Sequence, residues 1–456
     1  MFSPMLFLLT FIFFDSVSSS STAVNKTVPR VLLVSFDGFK ADYLNKFSFP
    51  NLQKFITDGV LVEHVTNIFI TKTFPNHYTL VTGLYAESHG IIANSMYDAE
   101  SKEHFRTNSS DSFWWNEATP IWVTNQLQGH KSATVMWPGS GISLRNTTVQ
   151  HHMKYNMSVA FQKRVDILTD WLNNMDDLIT FACLYWHEPD FSGHLYGPDN
   201  TSAMSAVLKD VDDNIGYLIK KLNVTGLWDS LNVIITSDHG MAQCSSDNVI
   251  KLDSCVTRDK YILIDTSPVA AVIPTTNETE VYSLLKNCSP HMKVYLKQDI
   301  PDRFHYKNNI RITPIILVAD EGWTIVQNGT ASRRGDHGYD NALPSMHPFL
   351  AGHGPAFRKG YKLNTINNLD VYPLMCHILG LKEEPNNGTL SNVNCLLASQ
   401  WCINLPEAIG IVIGAFIILT TLACLIIITK NRMSPSRPFS RLQLDDDDDD
   451  DDPLIV

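Results

Sequence analysis

Thr73 stands in the run Thr71-Lys72-Thr73-Phe74-Pro75-Asn76-His77-Tyr78, the stretch of this 456-residue chain best suited to nucleophilic chemistry. Pro75 fits the first turn of a helix, where its fixed φ is already helical and its missing N–H is not needed. Thr73 then lies at or near a helix N-terminus, beside unpaired backbone N–H groups that favour an anionic ligand. A threonine hydroxyl is a poor nucleophile at neutral pH unless a base or a metal lowers its pKa. Four other segments carry side chains able to supply such an activator: Asp37; Asp190 with His194; Asp238 with His239; and His337 in Gly335-Asp336-His337-Gly338. With Thr73 they form the mixed nitrogen and oxygen donor set that Zn²⁺ accepts in catalytic sites. Each segment alone is weak, because an Asp at a strand end is more often a helix cap and a lone loop His is more often a surface or core residue. Asp190 and His194 are stronger, since a four-residue spacing brings both side chains together on one turn. Asp238 and His239 would point to opposite faces of a strand, so they share a ligand only where the chain turns, which Gly240 permits.

Elements that would place these residues are legible as apolar runs. Val31 to Phe36 reads as a buried parallel strand that ends at Asp37-Gly38. Leu178 to Tyr185 ends before Trp186-His187-Glu188-Pro189-Asp190, and Asn232 to Ser237 ends before Asp238. Helical patterns lie between them, Asn51 to Asp58 and Ser205 to Leu222, the latter with Ala206, Leu208, Val211, Ile215, Leu218 and Ile219 on one face. Strands alternating with helices predict an α/β fold with a mostly parallel central sheet flanked by helices. Ligands of such sheets bind outside the carboxyl ends of the strands, where Asp37, Asp190 and Asp238 all fall. Tyr261 to Val326 holds further strand-like runs, Val269 to Pro274, Pro314 to Val318 and Trp323 to Val326, read as insertions on the core. Trp114, Trp115 and Trp122 read as core or interface, with no chemistry assigned to them.

At the scale of the chain, an apolar run from Met5 to Phe14 followed by Ser16 to Ser20 reads as a secretory leader over residues 1–21. A second run, Ala408 to Thr429, holds no charged residue and is long enough to span a bilayer. Lys430, Arg432, Arg437 and Arg441 follow it, which by the positive-inside rule places the C-terminus in the cytosol. The expected order is an extracellular domain over 22–387, a juxtamembrane stem over 388–406, a transmembrane helix over 407–429 and a cytoplasmic acidic tail over 430–456. The sequence thus predicts a single-pass type I plasma-membrane protein with its large domain outside. Ten Asn-X-Ser/Thr sites, at Asn25, Asn108, Asn146, Asn156, Asn200, Asn223, Asn277, Asn287, Asn328 and Asn387, all precede the span. The net charge of −12 includes the run Asp445 to Asp452. Without that run the rest is only mildly acidic, and no nucleic-acid polymer is expected as a partner. Eight cysteines are few for a chain of this length, so a large core must hold the fold. Cys255 with Cys288 and Cys395 with Cys402 are the expected pairs. Cys183 and Cys376 read as buried thiols, Cys244 is left open, and Cys424 lies in the span.

Thr73-Phe74-Pro75-Asn76-His77, Asp190-Phe191-Ser192-Gly193-His194 and Ser237-Asp238-His239-Gly240-Met241, in this order, resemble the ectonucleotide pyrophosphatase/phosphodiesterase family of the alkaline phosphatase superfamily. The likeness runs from about Val31 to Leu381 and implies an alkaline-phosphatase-like core. By position it implies two Zn²⁺ ions, one held by Asp190, His194 and His337 and the other by Asp37, Thr73, Asp238 and His239. Thr73 would be the nucleophile. Asn94 matches the residue that donates a hydrogen bond to the phosphoryl oxygen, and Phe74 and Tyr155 match positions that sandwich a nucleobase. Among the family's short members, the likeness implies cleavage of an extracellular nucleotide, with diadenosine triphosphate, split to AMP and ADP, as the favoured substrate. Two other readings stand beside this one: a phospholipid or choline phosphodiesterase of the same family, and a receptor or adhesion ectodomain without catalysis. Loss of Thr73 or of a ligand would have favoured the last, and none is lost. A sulfatase is disfavoured, because its nucleophile sits in a Cys-X-Pro-X-Arg-like context.

Overall fold

The computed structural model describes residues 28–400, 402 and 405–433. The expected leader, the Asn25 site and the acidic run lie outside the described residues. Residues up to Gln400 form one compact unit, and the segment from Trp401 onward forms another.

The central sheet has eight strands: β1 Val31–Phe36, β2 Val60–Thr66, β3 Lys131–Val135, β4 His151–Met153, β5 Ile179–Trp186, β6 Asn232–Thr236, β7 Leu350–His353 and β8 Tyr361–Asn367. Their spatial order is β8-β2-β7-β6-β1-β5-β3-β4. All six residues of β1 are buried, which is why its sequence is a continuous apolar run and not an alternating one. It runs parallel to β5, with Phe36 opposite Trp186, and parallel to β6, with Ser35 opposite Thr236. The carboxyl ends of these three central strands therefore meet at one edge. Among the strands of this sheet only β7 runs antiparallel to its neighbours, β2 and β6, so the sheet is mixed but mostly parallel, as expected.

Helices cover the faces. The helix expected from Asn51 spans Pro50–Thr57, and the one expected from Ser205 spans Thr201–Val224. The two are joined by Asp212 of the longer helix, whose carboxylate accepts from the backbone N–H of Asn51 at 3.0 Å and of Leu52 at 2.9 Å. A negative side chain thus supplies the cap that Phe49, with its apolar side chain, cannot.

The expected insertion is a separate antiparallel sheet, in the order Tyr261–Asp265, Val269–Pro274, Ile315–Ala319, Met292–Leu296, with its own buried cluster. Thr324–Val326 pairs instead with Val249–Lys251. The Cys255–Cys288 disulfide forms, with Cα atoms 5.5 Å apart, and Cys395 and Cys402 are each disulfide-bonded. Cys183, Cys376 and Cys244 are buried thiols.

The expected stem differs from what is seen. Up to Gln400 it packs on the body, with Val393, Leu396 and Leu397 buried and Arg358 N–H donating to Leu396 O at 2.9 Å. Leu397 pairs there with Phe357, in the connection between β7 and β8. Within the second unit, Leu405–Met433 is a helix, and its Ile409–Arg432 portion is long and apolar enough to cross a membrane.

Candidate active site

Asp37 follows β1 directly, Asp238 lies two residues beyond β6, and Asp190 opens a helix, Asp190–Tyr196, four residues beyond β5. Parallel pairing of the three strands puts the three carboxylates side by side. Asp190 N–H donates to Asp37 O at 2.9 Å, which closes the approach. Gly38 allows it: its φ is +70°, and a Cβ there would stand 2.8 Å from Asp190 Cα. Gly240 serves differently from the expected turn. Its backbone is not in the left-handed region, and its lack of a side chain is needed because a Cβ would overlap the Ser345 carbonyl.

Thr73 is the first residue of a helix, Thr73–Thr82, after an extended Lys72. Asn76 fixes the chain that leads into it. Its buried amide donates to the carbonyls of Ile70 and Lys72, each at 3.0 Å, and accepts from Ile68 N–H at 3.0 Å. The Thr73 hydroxyl oxygen lies 3.3 Å from His239 Nε2.

The three histidines share one arrangement. Nδ1 of His194 contacts Gly335 O at 2.8 Å, Nδ1 of His239 contacts Gly240 O at 2.8 Å, and Nδ1 of His337 contacts Thr71 O at 2.9 Å. A carbonyl only accepts, so each Nδ1 carries a proton, and in the neutral ring each Nε2 presents a lone pair. Those lone pairs face carboxylate oxygens: His239 Nε2 is 3.0 Å from Asp238 Oδ2, His337 Nε2 is 3.4 Å from Asp190 Oδ1, and His194 Nε2 is 3.5 Å from Asp190 Oδ2. Asp37 Oδ1, Asp190 Oδ1 and Asp238 Oδ2 are buried without a hydrogen-bond donor. Acceptor facing acceptor in a buried space is unfavourable unless a cation lies between them. Asp190, His194 and His337 form one metal-capable group, and Asp37, Asp190 and His239 form another.

The buried groups of this centre shift one another's protonation. Burial, with Asp238 and Asp190 nearby, pushes the Asp37 carboxyl well above the usual range. Burial works to raise Asp238 too, but the His239 and His77 rings outweigh it and hold it well below, and Asp238 in turn outweighs burial at His239 and raises that ring above its ordinary value. Burial, then the His239 and His194 rings, drives His337 well below its ordinary value, keeping it neutral. A neutral imidazole is the form that binds metal.

Two supporting residues escaped the sequence reading. Tyr185, at the end of β5, donates its hydroxyl to Asp37 Oδ2 at 2.6 Å. His77, one turn beyond Thr73, places Nδ1 2.9 Å from Thr73 O and 3.2 Å from Asp238 Oδ2, while Nε2 meets Ser35 Oγ at 2.9 Å. His77 was visible at a four-residue spacing from Thr73; nothing in the sequence marked Tyr185.

Asn94 Oδ1 accepts from Phe74 N–H at 2.9 Å, so its amide NH₂ is turned the other way and stays available to a ligand. The Phe74 ring is half-buried against Phe105 and Trp115, with centroids 5.9 and 6.1 Å away. Tyr155 is 52% exposed, its ring 6.1 Å from Tyr185. Its loop is tied to β5 by Arg164, which donates to Val159 O and Tyr185 O at 3.0 and 2.8 Å. Trp114, Trp115 and Trp122 are core residues. A cleft of about 650 Å³ between the Pro50–Thr57 helix and β2 touches none of these residues.

A family profile described as type I phosphodiesterase / nucleotide pyrophosphatase matches residues 31–340. The chain is 64% identical over 435 residues to the human bis(5′-adenosyl)-triphosphatase, covering 95% of each chain. It is 48% identical to human ectonucleotide pyrophosphatase/phosphodiesterase family member 5, over 86% of this chain and 83% of that protein. The solved structure of the latter superposes with a TM-score of 0.79 at 49% identity, over 81% of this chain and all of that one. An inactive threonine-to-alanine variant of the murine protein, in complex with AMP, superposes equally well at 48% identity over the same shares.

Proposed function

Because this chain belongs to the type I phosphodiesterase / nucleotide pyrophosphatase family and is a hydrolase with a metal-capable centre, we propose that it cleaves extracellular dinucleotides through Thr73. Diadenosine triphosphate is the favoured substrate, in line with the human bis(5′-adenosyl)-triphosphatase. The observation that carries this reading is the Thr73 hydroxyl at a helix N-terminus, 3.3 Å from His239 Nε2, amid carboxylate oxygens that lack donors.

Asp190, His194 and His337 would hold one Zn²⁺, and Asp37, Thr73, Asp238 and His239 the other. When bound, the pair supplies a lowered pKa for the threonine hydroxyl and neutralises phosphoryl charge. The chain's own residues do the rest. Thr73 gives up its hydroxyl proton to solvent as Oγ1 forms a bond to phosphorus in line with the departing oxygen, and the P–O bond to the ADP half breaks. This leaves AMP esterified to Thr73. Water then attacks the same phosphorus from the side the ADP left, freeing AMP and returning the hydroxyl. The Asn94 amide donates to the phosphoryl oxygen on which charge develops. A single neutral donor suits a diester, which carries less charge than the monoester a bidentate Arg clamp would hold. Phe74 and Tyr155 offer π-faces to the retained base. We place the enzyme at the plasma membrane as a single-pass type I protein, anchored through the apolar helix with its catalytic domain outside.

The test is a substrate panel with metal analysis on the full-length protein in detergent. Diadenosine triphosphate and p-nitrophenyl thymidine monophosphate should both be cleaved, with activity lost to a chelator and restored by Zn²⁺. Turnover of choline phosphodiesters alone would replace this reading with the lipid-type one, and inertness towards all of them would end it.

A further inference from the structure

Arg164 occupies a position that the helical pattern would give to an apolar side chain. The helix Phe161–Asn173 buries Phe161, Val165, Leu168 and Leu172 on one face, and Arg164 is fully buried among them. A charge taken out of water is costly unless it is paired or hydrogen-bonded. Among the described residues its partners are carbonyls and one ring, with no carboxylate. Nε donates to Val159 O at 3.0 Å, one terminal nitrogen to Tyr185 O at 2.8 Å and the other to Asn156 O at 3.4 Å. The guanidinium carbon lies 4.5 Å from the centre of the Trp186 ring. Burial pushes the pKa down to about 10 from 12.5, so the group is still charged at neutral pH.

The three carbonyls belong to two separate pieces of chain. Tyr185 lies at the end of β5, where its hydroxyl donates to Asp37 Oδ2 and the next carbonyl, Trp186 O, accepts from Asp37 N–H at 2.9 Å. Asn156 and Val159 belong to the irregular loop between β4 and the Phe161–Asn173 helix, directly after Tyr155. That loop has bonds of its own: Asn156 Oδ1 accepts from Ser158 N–H at 3.0 Å, and Val159 N–H donates to Asn156 O at 3.2 Å. Those bonds stay within the loop. Arg164 is what joins it to the strand end beside Asp37.

We propose that Arg164 is a positioning residue for substrate selection: by tying the Tyr155 loop to the strand end that holds Asp37, it fixes where the Tyr155 ring stands relative to the reacting centre, and so favours diesters that carry a base. The ring is half exposed, so packing alone does little to hold it. A planar guanidinium reaches three carbonyls in three directions, whereas a lysine is a compact point charge on a flexible stem. The role rests on the hydrolytic reading above and on Tyr155 facing the retained base.

The test uses the full-length protein in detergent and two esters that lose the same aryl oxide but differ in what stays behind. These are p-nitrophenyl thymidine monophosphate, which has a base, and methyl p-nitrophenyl phosphate, which has none. In Arg164→Lys the ratio of kcat/KM values, nucleoside ester over methyl ester, should fall about tenfold through KM, with the methyl ester within about twofold of the parent. Arg164→Met removes charge and donors together and should show the same fall. Tyr155→Ala should lower the ratio at least as far, and adding Arg164→Lys to it should lower the ratio no further, because residues acting through one ring are not additive. Thermal unfolding of each variant checks that it is folded. An unchanged ratio in the Arg164 variants, equal losses on both esters, or a full further fall in the Tyr155→Ala background would overturn the proposal. Failure of both Arg164 variants to fold would make the residue structural and overturn it too. A parent that cleaves both esters equally well would remove base recognition, and this role with it, while leaving hydrolysis intact. A parent that cleaves neither would sink the hydrolytic reading as well.

Discussion

Thr73 and Tyr185 separate two kinds of dependence on a single atom. Thr73→Ala removes the attacking oxygen but only one of several donors to the metal-capable centre, so metal content should persist while turnover falls by about 10⁴-fold or more. Metal analysis alongside single-turnover assays checks this, and normal turnover would refute the nucleophile assignment. Tyr185→Phe leaves the ring in place and removes the 2.6 Å hydrogen bond to Asp37. Outer partners that orient a ligating carboxylate are worth about 10–100-fold in metal affinity or activity. The expected result is therefore a chelator titration shifted by that factor with thermal stability nearly retained. Thr73 was legible because its neighbours form a motif. Tyr185 was not, because a tyrosine ending an apolar strand looks like any core residue until β1 is laid beside β5.

At the scale of elements, the helix that presents Thr73 is held from behind by His89. Its Nδ1 accepts from Ile91 N–H at 3.1 Å, so Nε2 carries the proton and meets Thr79 Oγ1 at 3.0 Å. Burial pushes the pKa of this ring down to about 3 from 6.5. Between those values the unfolded chain binds a proton that the folded one refuses, so this group's contribution to stability is complete above about pH 6.5. It is lost as pH falls, at about 1.4 kcal/mol per pH unit. In His89→Gln the decline of Tm between pH 6.5 and 5 should be shallower than in the parent; an equal slope in both would show that other groups carry the acid response. The elements themselves were largely visible beforehand, because apolar runs and helical periodicity are local properties. The antiparallel course of β7 was not, since strand direction depends on where the chain returns to the sheet. The packing of 388–400 on the body was missed for the same reason: burial of Val393, Leu396 and Leu397 depends on which distant residues, Phe357 among them, come to lie beside them.

For the whole molecule, the compact unit up to Gln400 and the apolar Leu405–Met433 helix make separable contributions. The full chain should partition into the detergent-rich phase on cloud-point separation, while a chain ending at Gln400 should stay in the aqueous phase. If the shortened chain also stayed with detergent, anchoring would have to be sought elsewhere. The long apolar run was readable without coordinates because a bilayer core of about 30 Å demands roughly 20 apolar residues in succession.

The kinds of side chain, their order and the family they signal were set by the sequence alone, since a donor set needs only the right residue types near strand ends. Distances and directions were decided by the tertiary structure. Strand pairing brings Asp37, Asp190 and Asp238 together, the distant carbonyls of Gly335 and Thr71 choose which nitrogen of His194 and of His337 faces the centre, and Phe74 N–H turns the Asn94 amide outward. Hydrogen bonds have direction and reach only about 3 Å, so no spacing along the chain could have specified them.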